Sequence, residues 1–131
     1  MRECPFCERA EAATAPQRTT PTAAAFPDTF PVTAGHMLVV PRRHVGRLEE
    51  LSSREWTELF ELVRLVCREV VAEPGVGGYN LGVNNGTAAG QTVDHVHVHV
   101  IPRRPGDVAD PRGGIRNVIP GRADYWSEGG G

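Results

Sequence analysis

Residues 94–101 read Asp-His-Val-His-Val-His-Val-Ile, three successive alternations of imidazole and valine. Successive side chains of a β-strand point to opposite faces. Residues 93–101 are therefore expected to form a strand with His95, His97 and His99 on one face and Val96, Val98 and Val100 on the other. The valine face can bury against a helix. Three imidazoles ~6–7 Å apart along a strand are costly to bury without partners, so the histidine face must meet something polar. The chain must fold around a sheet with one apolar and one chemically active side.

Two chemistries suit such a face. A His-x-His strand is good geometry for a catalytic zinc with an open position. Alternatively, a neutral imidazole, with a pKa near ~6.5, offers a nitrogen lone pair that attacks phosphorus and leaves again. Gly90-Gln91-Thr92 lies just before the strand. Glycine permits close backbone approach, glutamine and threonine donate hydrogen bonds, and backbone N–H groups in such a loop can hold a phosphate. A phosphate site beside a histidine nucleophile is coherent, and it favours the second chemistry.

The remaining elements follow from periodicity and punctuation. Residues 23–30 hold a short strand ended by Pro27 and Pro31, and His36–Val40 is an apolar run ended by Pro41. Ser52-x-x-Glu55 is a capping box. After it Trp56, Leu59, Phe60, Val63, Val66, Cys67 and Val70 recur at helical spacing, and Pro74-Gly75 stops the helix near Ala72. Gly78–Val83 reads as a strand and Asn84-Asn85-Gly86 as a turn. These elements predict an α+β fold with a mainly antiparallel sheet. At 131 residues the chain is expected to form one domain, with an N-terminal segment over 1–22 and an irregular C-terminal tail over 105–131.

The formal net charge of −2 gives no footprint for nucleic acid. No apolar run approaches the ~20 residues needed to span a bilayer, and Met1-Arg2-Glu3-Cys4 has no signal-like stretch. A cytoplasmic protein without a membrane or nucleic-acid partner is expected. All 14 basic residues are arginine. Three cysteines, Cys4, Cys7 and Cys67, argue against a disulfide framework. Cys67 falls in the helical pattern, and Cys4-Pro5-Phe6-Cys7 is a C-x-x-C pair at a common zinc-ligand spacing.

Gln91-Thr92-Val93-Asp94-His95-Val96-His97-Val98-His99-Val100-Ile101 resembles the signature of the histidine-triad (HIT) family. Phe26-Pro27-Asp28, Pro31 and Gly35-His36-x-Leu38-Val39-Val40-Pro41-x-x-His44 agree with it, as does Asn84-x-Gly86, so the resemblance covers roughly residues 23–104. It implies a HIT-like fold: a five-stranded, mainly antiparallel sheet with one long and one short helix, extended across a homodimer. It implies that His97 becomes nucleotidylated at the substrate's α-phosphate and then passes the group to water or another acceptor. His99 matches the position that bonds the phosphate or leaving group, and His95 and His36 match supporting histidines. Asn84, Gln91 and Thr92 match phosphate-side positions, Asp28 the acid that accepts ribose hydroxyls, and Phe26 part of an apolar base slot.

Some relatives carry a structural zinc, and the matching ligands are Cys4, Cys7, His44 and His95. The Trp-Pro-Pro-Gly element of the Hint-like branch is absent. Pro102-Arg103-Arg104-Pro105-Gly106-Asp107 resembles the run that follows the strand in the fragile-histidine-triad branch, although Asn84 stands where that branch has Gln. The resemblance thus implies a hydrolase of dinucleoside polyphosphates, with Mg²⁺ accompanying the substrate. Arg103, Arg104, Arg112 and Arg116 either meet a long anionic leaving group or form a solvated tail. A nucleoside phosphoramidate hydrolase and a nucleotide-binding regulatory protein remain alternatives.

Overall fold

Alternation of small and branched apolar residues builds a sheet buried on both sides. In the computed structural model, which describes residues 4–127, strands β1 (Ala23–Pro27), β2 (Met37–Pro41), β3 (Gly78–Gly82) and β4 (Val98–Arg103) lie in the order β1-β2-β4-β3. Every neighbouring pair is antiparallel. The sheet has four strands among the described residues rather than five; Thr19 and Ala24 add only an isolated bridge. Residues 1–3 and 128–131, the outer ends of the two expected terminal segments, lie outside the described residues.

Helix α2 (Ser53–Ala72) covers one face. Val96, Val98 and Val100 pack there with Ala23, Ala25, Met37 and Val39 against Leu59, Leu62, Val63, Val66, Cys67 and Val70. The expected capping box forms: Ser52 Oγ accepts from Glu55 N–H, and the Glu55 carboxylate accepts from Ser52 N–H. The helical stripe differs at its margins. Leu62 is fully buried, whereas Trp56 is 46% exposed and rests its ring on Phe60. A stripe wide enough to cover a sheet admits i+3 neighbours on either side, and the twist of the sheet decides which are covered.

The opposite face carries the histidines and a second helix, α1 (Pro5–Ala12), in a segment where the sequence showed few structural signals. Pro5 stands in its first turn, where a missing N–H costs nothing, and the Cys4 sulfur accepts from Cys7 N–H. Arg42, just past β2, donates to the carbonyl oxygens of Ala10 and Ala13 at 2.7 and 3.2 Å. It thereby satisfies acceptors that the helix end leaves open and fastens α1 to the sheet. Ala10 and Phe6 pack with Ala24, Phe26, Leu38 and Val40.

The histidine strand is shorter than the alternation predicts. The ladder begins at Val98, and residues 93–97 approach it as irregular backbone. Val96 N–H bonds Val45 O instead of a strand partner. Alternation still sorts the side chains, with the valines on the α2 side. Directly opposed residues share a face, so Phe26, Leu38, His99 and Gly82 form one row across all four strands.

Candidate active site and metal centre

Irregular backbone before β4 lets the three histidines diverge. His95 is fully buried. Its Nδ1 lies 3.4 Å from Cys4 Sγ and 3.5 Å from Cys7 Sγ, and Cys7 Sγ is 3.3 Å from His44 Nδ1. The four ligand atoms all lie within 4.8 Å of one another. Two sulfurs and two nitrogens around a tetrahedral zinc stand ~3.5 Å apart, so this donor set fits that ion. His95 Nε2 lies 2.8 Å from Pro41 O. A carbonyl can only accept, so Nε2 carries the proton and Nδ1 keeps the lone pair that a ligand needs. His44 is brought to the cluster by a loop tied at both ends. Arg43 grips Glu55 with two bonds of 3.0 Å, holding that carboxyl down to about 2. Gln91 Nε2 donates to Gly46 O.

His97, also buried, places Nδ1 2.8 Å from the carbonyl oxygen of His95. The same reasoning puts the proton on Nδ1 and leaves the lone pair on Nε2. The Phe6 ring meets the His97 ring edge-on at 4.8 Å. Among the described residues His97 joins no ligand cluster with His95, so the three histidines are not arranged around a single ion.

His99 belongs to a third arrangement. Val32 N–H donates to His36 Nδ1 at 3.2 Å, so the His36 proton sits on Nε2. That nitrogen is 2.9 Å from His99 Nδ1 and 3.4 Å from Asp28 Oδ2. His99 Nδ1 must then accept, which leaves His99 Nε2–H as an outward donor. Burial, followed by neighbouring His97 and His36, pushes the His99 imidazole down to about 4. Burial lowers His36 as well, against the pull of Asp28. Both rings are neutral at pH 7. Asp28, His36 and His99 also group closely enough for an ion. The backbone amide on Nδ1 keeps a proton on His36 Nε2 and argues against one.

The remaining expected site residues divide. Asp28 Oδ1 accepts from Phe30 N–H, shaping a turn, and its other oxygen faces His36. Gln91 spends its side-chain amide on the backbone. Its Oε1 accepts from Gly86 N–H at 2.7 Å and its Nε2 donates to Gly46 O and Val93 O, so both ends of the amide are used in joining loops. Gly90, at φ 95°, supplies the left-handed residue that turns the chain into this segment. Thr92 is exposed on that loop and Asn84 is half-buried just past β3. Phe26 is buried beneath α1 with Ala10 and Leu38, and it also lines a hollow with Arg9, Ala13 and Pro27. Phe6 touches Phe26 at 5.8 Å between ring centroids, and the Arg9 guanidinium stacks 4.5 Å above it. Neither Phe6 nor Arg9 was legible as a site residue, because nothing in the sequence pairs residue 6 or 9 with residue 26.

The four arginines considered for a leaving group are engaged elsewhere. Arg103 bonds Asp107 and Asn80, Arg104 bonds Ala34 O, Arg112 bonds Asp110, and Arg116 bonds Ala123 O and Arg122 O.

The HIT domain family matches residues 11–106. The chain belongs to that family. A Bis(5'-nucleosyl)-tetraphosphatase [asymmetrical] of Schizosaccharomyces pombe is 43% identical to this HIT chain over 91 residues, 70% of this chain and 50% of that protein. An adenosine 5'-monophosphoramidase of the same organism is 40% identical over 79 residues, 60% of this chain and 56% of that protein. This HIT chain thus spans about half the length of those curated relatives. A Zn-bound histidine triad family protein from Mycobacterium smegmatis superposes with a TM-score of 0.71 at 30% identity, covering 82% of this chain and 80% of that one. No helix among the described residues of the HIT chain is long and apolar enough to cross a membrane.

Proposed function

We propose that this HIT protein cleaves dinucleoside polyphosphates by transferring a nucleotidyl group to His97. The observation that carries this reading is the tautomer of His97: the carbonyl of His95 holds the proton on Nδ1 and leaves Nε2 as a nucleophile. The Nε2 lone pair forms a bond to the α-phosphorus. The bridging P–O bond breaks, and its electron pair departs with the nucleoside polyphosphate. The imidazole then carries positive charge, which the His95 carbonyl faces directly. In the second step water attacks the phosphorus, the P–N bond breaks towards Nε2, and the proton of the water passes to solvent.

His99 Nε2–H supplies a hydrogen bond to a phosphate oxygen. A neutral His99 has no spare proton at pH 7, so the site suits a leaving group that departs as an anion, as a polyphosphate does. This favours dinucleoside polyphosphates over phosphoramidates, whose nitrogen must be protonated as it leaves. Thr92 and Asn84 are assigned to the phosphate side. Asp28 is assigned to the ribose, and the space beside Phe6, Arg9 and Phe26 to the base. His36 is a positioning residue that fixes His99. Mg²⁺ is expected to travel with the substrate.

Zinc is assigned to Cys4, Cys7, His44 and His95. It would supply a crosslink between α1, the loop after β2 and the catalytic segment. With both its nitrogens used there, His95 acts on His97 through its backbone carbonyl. A homodimer is also inferred: β3 is an edge strand whose Tyr79 and Leu81 are exposed, and α2 carries exposed Trp56, Leu65 and Val71. An unpaired edge beside exposed apolar side chains is suited to association.

The test is covalent trapping. Diadenosine tetraphosphate labelled at the α-phosphate, quenched in base after brief mixing, is expected to leave acid-labile label on the protein and none on His97→Ala. Turnover without any trapped label, or equal label on His97→Ala, overturns the assignment.

A further inference from the structure

The transverse row Phe26–Leu38–His99–Gly82 gives the histidine face a direction. Three interstrand steps make it roughly 14 Å long. The assignments above fill only the part from Phe26 to His99. Gly82, directly opposite His99, has no side chain, and the face continues past it beneath the C-terminal segment.

A cavity of about 680 Å³ lies there, lined by Val32, Asn80, Ile101, Val108, Ile115 and Val118 among others. That volume is typical of small-molecule sites. Ile101 follows His99 by two residues on the same face, ~6–7 Å along the strand, and pairs with Asn80. The side chain of Ile115 reaches to 3.8 Å from where a Cβ on residue 82 would stand. On the other wall, Val32 is the residue whose N–H fixes His36. The cavity thus borders the His36–His99 pair at two points.

Its chemistry is apolar with amide edges. Val32, Val108, Ile115 and Val118 stay exposed although they gather around one hollow, an arrangement that marks binding surfaces. The cation in its wall, Arg103, is neutralised by two 2.8 Å bonds to Asp107, with a third to Asn80 Oδ1. Arg112 stacks over Trp126 and Arg116 over Tyr125, so the tail braces itself with its own arginines. A hollow of this kind suits a flat, weakly polar heterocycle, whereas a phosphate would find no free cation.

We propose that this cavity receives the second nucleoside of a dinucleoside polyphosphate, the one that departs with the leaving group. The inference rests on the function proposed above, and it makes the tail a selectivity element between dinucleotide and mononucleotide substrates.

The test uses the full chain carrying His97→Ala, so that no ligand is consumed. Affinities for AMP, adenosine tetraphosphate and diadenosine tetraphosphate are measured by calorimetry. The last two share the phosphate chain and differ in the second nucleoside. The dinucleotide is expected to bind at least ~10-fold more tightly than adenosine tetraphosphate, a ratio of one decade in Kd. Adding Ile115→Ser and Val118→Ser, both at exposed positions, is expected to bring that ratio to about one while AMP affinity stays within ~2-fold. Equal affinities before the tail is altered, or a ratio unmoved by the two substitutions, overturn the inference alone. Failure of AMP itself to bind overturns the nucleotide reading and this inference together.

Discussion

Two groups of side chains, one around His95 and one around His99, occupy neighbouring parts of the same face and do opposite things with the same ring. In His95 one imidazole nitrogen is committed directly to the backbone, in His99 one is committed to it through His36, and in both the other is turned towards chemistry. Around His95 the backbone partner is an acceptor, Pro41 O, so the proton is held on Nε2 and Nδ1 keeps a lone pair facing two sulfurs. Around His99 the backbone partner is a donor, Val32 N–H, acting through His36, so the outcome is an N–H pointing outwards. His97 lies between them and again faces a carbonyl. The lesson is that the backbone chooses the tautomer, and the tautomer decides between ligand, nucleophile and donor.

The sharpest way to break this comparison is to remove the sulfurs. Cys4→Ser with Cys7→Ser is expected to abolish a one-to-one zinc content and to cost more than ~3 kcal/mol of stability, because a metal bound only by the folded state is a stabilising ligand. His36→Ala is expected to keep the zinc and lose activity. Metal analysis with thermal unfolding checks both. Zinc retained after loss of both cysteines, or lost with His36, would merge two groups that the geometry separates.

Much of this arrangement was legible in the residues. The capping box at Ser52 and Glu55 and the end of α2 near Ala72 were local signals, and they hold. The two faces of the histidine segment followed from the period of a strand, and the valines do meet α2. What was not legible depends on distant chain. The ladder with β2 starts only at Val98, opposite Val39, although β2 itself runs on to Pro41, because Val96 is drawn to Val45. Phe6 and Arg9 reach Phe26 because α1 lies on the sheet, tied by Arg42 at its end and by Arg9 to Pro27 O and Thr29. The sequence left the tail arginines open between leaving-group contacts and a solvated tail, whereas Asp107 and Asp110, a few residues away, pair with Arg103 and Arg112.

A second, smaller effect separates the two groups by pH. His99 is expected to titrate near pH 4, as against 6.5 for an unburied ring. The folded pKa lies below the unfolded value, so the unfolded chain binds more protons between those limits. Stability is therefore complete above pH 6.5 and falls as the pH drops towards 4. The groups facing His99 are His97, His36 and Asp28; of these Asp28 alone raises its pKa. NMR titration of the His99 ring protons checks the value, and a midpoint near 6.5 would mean that the relay from Val32 does not hold it neutral.

The mildest substitution joins both halves of the comparison. Gln91 ties Gly86, Gly46 and Val93 together with its single amide. Gly46 lies two residues beyond His44, and Thr92 lies between Gln91 and Val93. One side chain thus braces both the loop that carries His44, assigned to zinc, and the loop that carries an assigned phosphate donor. Gln91→Ala is expected to cost about 1–3 kcal/mol of stability, since it strands the Gly86 N–H, and to raise KM a few-fold with little change in kcat. Thr92→Ala, at an exposed position, is expected to raise KM without lowering the melting temperature. If Thr92→Ala proves the more destabilising of the two, their roles are reversed: Thr92 is then the brace, and the amide of Gln91 becomes the group that reaches the nucleotide.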